Sequence, residues 1–115
     1  MLTNTGCRWL NIGCSDLAEQ FDVCQVKGGA LVLVMSHDLL NWLTMRQVAP
    51  LIPLEKAGEP TRGLNPVVEV DGRLFLLKPE LMAAIPVSQL SKSLENLSHR
   101  REEFIRALDL LFTGV

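Results

Sequence analysis

The sequence predicts an α+β fold: a small twisted antiparallel sheet or barrel, closed by one helix near the C-terminus. Three observations lead there. Short β-prone runs separated by turn residues fill residues 21–90. Asp71-Gly72 stands between two such runs and has the composition of a two-residue hairpin turn. An amphipathic pattern of period 3.6 occupies the last stretch, from about Ser98 to Phe112. Strands first and one helix last is the α+β order.

Phe21-Asp-Val-Cys-Gln-Val26 alternates in the manner of a strand. Lys27-Gly28-Gly29 supplies a turn, because glycines reach positive φ without steric penalty. Ala30-Leu-Val-Leu-Val-Met35 is apolar on both faces, which predicts a central strand hairpinned to the first. Arg46 to Leu54 is a third extended stretch. Pro50 and Pro53 interrupt it, so it is expected to be bent or to lie at an edge. Glu55 to Gly63 reads as a loop, Pro66–Val70 and Arg73–Leu77 as a hairpin, Pro79–Ala84 as a short helical turn, and Ile85–Leu90 as another strand.

The helix pattern places Phe104, Ile105, Leu108, Leu111 and Phe112 on one arc, the expected core or dimer face, with Arg101 inside it and Leu110 outside. Asn96 or Ser98 is positioned to cap its start, Glu102 and Glu103 to meet its positive end, and Gly114 to end it in the left-handed conformation. Asp109 falls in the last turn, where the helix dipole disfavours a carboxylate. Arg106, three residues earlier, could offset it. The chain ends three residues after Phe112, and so apolar an end suggests that the terminus itself is used.

At 115 residues the chain is one domain. Residues 1–18 show no periodicity and read as an N-terminal extension outside the core, with the domain over 19–115. A hydrophobic content of 48% with 21% charge excludes a disordered chain. A net charge of −2 argues against a dedicated nucleic-acid binder. The longest apolar run, Ala30–Met35, is too short to span a bilayer, and the N-terminus does not resemble a secretory signal, so the expected compartment is the cytoplasm, with no membrane partner. Cys7, Cys14 and Cys24 follow no metal-binding spacing and are expected to be reduced thiols.

Catalytic chemistry finds little support. His37-Asp38 and His99 are the candidate titratable groups, but there is no nucleophile elbow, no phosphate-binding glycine loop and no HExxH motif. The expectation is a non-enzyme, with no cofactor and no metal.

Several blocks, in order from Phe21 to Val115, resemble the CcdB family of toxins. Leu33-Val-Met-Ser-His-Asp-Leu-Leu-Asn41 is similar to the family's strand and Ser-Asp-aliphatic loop. Val48-Ala-Pro-Leu-Ile-Pro53 and Leu64-Asn-Pro-Val-Val-Glu-Val70 resemble two further strands. Met82-Ala-Ala-Ile-Pro-Val-Ser88 and Leu97-Ser-His-Arg100 are the most specific matches. The ending Leu-Phe-Thr-Gly-Val resembles Phe-Trp-Gly-Ile or Thr-Gly-Ile.

The resemblance implies an SH3-like barrel with a C-terminal helix, assembled as a homodimer. It implies a toxin that poisons DNA gyrase by binding the A subunit and is neutralised by a CcdA-type antitoxin. The toxin–antitoxin complex would repress its own operon, so operator DNA is a partner only of that complex. By position, the gyrase-facing residues would be Leu39, Leu40, Asp109, Phe112, Thr113, Gly114 and Val115. Thr113 stands where the best-known tail has tryptophan, and residues 1–18 have no counterpart. Two alternatives remain. One is a MazF/Kid-like mRNA endoribonuclease using His37, Asp38 or Arg46. The other is a non-toxic homologue that keeps only antitoxin binding.

Overall fold

The computed structural model describes residues 18–37 and 44–114. Among them, seven strands form one antiparallel sheet: β1 Asp22–Gln25, β2 Leu31–Val34, β3 Met45–Pro53, β4 Val67–Val70, β5 Arg73–Leu77, β6 Ala83–Pro86 and β7 Glu95–Asn96. The strand order is β4-β5-β3-β2-β1-β7, with β6 also paired to β3. The helix α1, Arg101–Thr113, follows the last strand. A bridge between Val26 and Leu90 joins the end of β1 to the segment after β6, so β1, β2, β3 and β6 curl into a nearly closed barrel.

The turns form as the sequence predicts. Asp71 and Gly72 have φ of 55° and 83°, the pair of positive values that a two-residue type I′ turn requires, and Val70 faces Arg73 across it. Gly28 and Gly29 have φ of 108° and 100° in the β1–β2 turn, where the Gly29 N–H donates to Val26 O. β2 is central, as its two apolar faces predict: Leu33 and Met35 enter a larger core with Phe21, Val23, Leu51, Phe75, Leu77 and Phe104, whereas Val32 and Val34 enter a smaller one with Ala18, Cys24 and Val48.

Three expectations are corrected. β3 is not an edge strand but the centre of the sheet. It pairs with β2 on one side, and on the other with β6 through Val48 and with β5 from Leu51. Pro50 falls in the gap where the partner changes, so its missing N–H removes no ladder bond, and Pro53 is the strand's last residue. The sixth strand is Ala83–Pro86, not Ile85–Leu90: a 3-10 turn at Val87–Gln89 interrupts the run, and pairing resumes only at Leu90. A 3-10 turn, Ser98–Arg100, precedes α1, so Arg100 is the residue before the helix and no side chain caps it. Asn96 acts earlier, accepting the Ser98 N–H at 3.0 Å.

Residues 1–17 lie outside the described residues. Ala18, the last residue of the expected extension, is buried in the smaller core, and its carbonyl accepts the Arg46 Nε–H at 3.1 Å.

Candidate functional site

The C-terminal helix is anchored at its start and bare at its end. Arg100 donates Nε–H and Nη2–H to the two carboxylate oxygens of Glu103 at 2.8 and 2.7 Å, and its guanidinium lies over the Phe104 ring. The hydrogen bonds from Arg100 hold the Glu103 carboxyl below the usual carboxylate range. Phe104 and Ala107 are wholly buried, and the Phe104 ring meets Phe21 at 5.2 Å. Ile105 and Leu108 lean half-buried on the same core.

The buried face keeps Phe104, Ile105, Leu108 and Leu111 of the expected arc, gains the wholly buried Ala107 and loses Phe112, which is 68% exposed. Reading by apolar bulk favours the phenylalanine over the small alanine. Leu110, expected to stand clear of the core, is half-buried beside Gly63, where an added Cβ would lie 3.5 Å from Leu110 Cδ2.

The last turn presents Asp109, Phe112, Thr113 and Gly114 to solvent. Gly114 takes the left-handed conformation at φ 79°, and its N–H donates to Leu110 O at 3.1 Å. Thr113 Oγ1 donates back to Asp109 O at 2.6 Å. The expected offset from Arg106 is not made: among the described residues the Asp109 carboxylate has no hydrogen bond or ion pair. An unpaired carboxylate at the negative end of a helix, beside an exposed phenylalanine, costs the isolated chain stability.

Leu39, Leu40 and Val115 lie outside the described residues, as does Asp38. The end of β2 is tied to the first turn of α1. Gln20 Nε2 donates to Met35 O at 3.1 Å, and Gln20 Oε1 accepts from Arg101 Nη1 at 3.3 Å. Arg101 precedes Phe112 by eleven residues, roughly 16 Å along the helix axis. Of the expected surface, Asp109, Phe112, Thr113 and Gly114 share the last turn of α1, whereas Leu39 and Leu40 lie outside the described residues.

Arg46, a candidate for ribonuclease chemistry, is 1% exposed. Its Nε and Nη1 donate to the carbonyls of Ala18 and Met45, whereas His37 is exposed. Arg46 is therefore not available to a substrate at the surface. No group of three or more His, Cys, Asp or Glu residues among the described residues could hold a metal ion. No helix among them is long and apolar enough to cross a membrane.

The described residues form a small α+β barrel whose C-terminal helix ends in an exposed phenylalanine and an unpaired carboxylate. The family model described as CcdB protein matches residues 20–114, nearly the whole chain, and the chain belongs to the CcdB family. It is thus a toxin of the CcdB type from a toxin–antitoxin system.

Proposed function

We propose that this chain poisons DNA gyrase by binding the enzyme's A subunit through the end of α1. It is neutralised by a CcdA-type antitoxin, and the two together repress their own operon. The observation that carries this reading is the exposed Phe112 beside the unpaired Asp109 on a CcdB-family chain. A few large anchors that become desolvated carry most of an interface's affinity, and Phe112 can supply one. Leu39, Leu40, Thr113, Gly114 and Val115 complete the binding set.

Self-association as a homodimer is part of the same proposal. α1 packs on the turn Pro79–Leu81, which runs directly into β6, and Met45 of β3 is paired with Pro86. Leu81 and Met45 are 57% and 41% exposed.

Controlled induction in isogenic hosts carrying sensitive or poison-resistant gyrase A subunits tests the reading. Arrest confined to the sensitive host, and abolished by deleting Thr113–Val115 from a chain that still folds, is the expected result. Arrest in both hosts would point to ribonuclease activity and sink the proposal. One observation favours the non-toxic alternative: Thr113 replaces a large aromatic, and its hydroxyl is turned back onto the helix. Tight antitoxin binding with no arrest in either host would establish that alternative.

A further inference from the structure

We propose that the gap between the two edge strands of the sheet, β4 and β7, is a docking groove for an extended, basic peptide segment of a protein partner. This is separate from the helix end and does not rest on the gyrase reading.

β4 and β7 are the two ends of the strand order, and the sheet curls so that they approach without pairing. A cavity of about 390 Å³ lies between them. Glu69 and Asp71 of the β4–β5 hairpin form one wall, and Glu95, Leu97, His99 and Arg100 the other. The space accommodates a few residues of extended chain.

The backbone of β4 is prepared for such a chain. Pro66 O accepts the Leu77 N–H, and Val68 and Val70, opposite Phe75 and Arg73 in the same register, exchange hydrogen bonds with β5. The N–H and C=O groups of Val67 and Glu69 therefore point out from the free edge. An open edge is a template for an added strand, with main-chain bonds giving affinity and side chains giving selectivity.

Charge selects the occupant. The carboxylates of Glu69, Asp71 and Glu95 make no ion pair among the described residues. Arg100, the fixed cation on the opposite wall, is already engaged by both oxygens of Glu103. The groove is therefore net negative, and a strand with alternating basic side chains complements it where an acidic one is repelled.

The test uses the full chain and two capped pentapeptides, Arg-Val-Arg-Val-Arg and Glu-Val-Glu-Val-Glu. Binding is read by calorimetry and by amide chemical shifts. The basic peptide should bind about tenfold or more tightly than the acidic one, more weakly as salt rises, with shifts centred on Val67, Glu69 and Glu95. Combined Glu69→Arg and Glu95→Arg replacements should weaken it by about tenfold. Val67→Pro removes an outward N–H without changing charge and should weaken binding several-fold. Thermal melts confirm that each variant is folded. Failure of the basic peptide to bind, equal binding of both peptides, shifts centred on the end of α1, or full affinity in the folded charge-reversed variant would each overturn the proposal.

Discussion

Phe104 and Phe112 lie eight positions apart on one helix, and burial separates their roles. Phe104 is wholly enclosed against Phe21, so Phe104→Ala removes packed atoms and leaves a cavity. It should destabilise the fold by about 3–5 kcal/mol. Phe112 is 68% exposed, so Phe112→Ala should change stability by no more than about 0.5 kcal/mol. The same replacement should abolish growth arrest; a toxic, stable F112A chain would remove Phe112 from the binding surface. Chemical denaturation of the two variants measures the stability contrast directly.

Cys24 carries a pH signature. Burial, and secondarily the Asp22 carboxylate, pushes its thiol up to about 11 from 9.0. The folded state therefore keeps a proton that the unfolded state loses above pH 9. Stability should fall between pH 9 and about 11, by about 2–3 kcal/mol. Cys24→Ala should remove that component. An identical alkaline decline in the alanine variant would assign the effect to other groups.

Among the elements, the β4–β5 hairpin depends most on a single residue. Gly72 has φ 83° in a turn whose register aligns Val68 with Phe75 and Val70 with Arg73. A β-branched residue is strained there, so Gly72→Val should cost about 2 kcal/mol. The prediction fails if urea melts of the variant and the parent coincide. α1 shows the reverse balance. Its first turn is held by the Arg100–Glu103 pair and by Phe104, while its last turn carries an unpaired Asp109. The element is stabilised at its buried start and left uncompensated at its exposed end.

At the scale of the whole molecule, the two cores lie on opposite faces of the same strands. Leu33 and Val34 are neighbours on β2, one in each core. Neither core can be lost without stripping the other, so the domain should unfold in one cooperative transition. Val34→Ala and Phe104→Ala, though in different cores, should lower the midpoint of that single transition, with calorimetric and van't Hoff enthalpies equal. Two resolved transitions would separate the cores into independent units. Arg46 reinforces the coupling, because its guanidinium spans from β3 to the carbonyl of Ala18 at the start of the described chain.

Local pattern determined a great deal. The Asp71-Gly72 turn, the doubly apolar β2, the Gly114 helix end and the acidic first turn of α1 were all legible, because each depends on residues within a few positions of one another. The proposed tail set comes from the family resemblance by position; what the sequence pattern itself offers is Asp109 and Phe112 one turn apart at the helix end. What pairing decided could not be read locally. Pro50 signals an edge strand until the partner change beside it is known, and only the fold sets that change. Ala107 has too small a side chain to announce that it is wholly buried. Nothing local says that Arg46 is buried with its Nε–H on the distant carbonyl of Ala18, and the groove between β4 and β7 joins residues far apart in the chain. Short-range conformational preference is written in the sequence; proximity between segments, and hence burial and charge environment, arises only when the sheet closes.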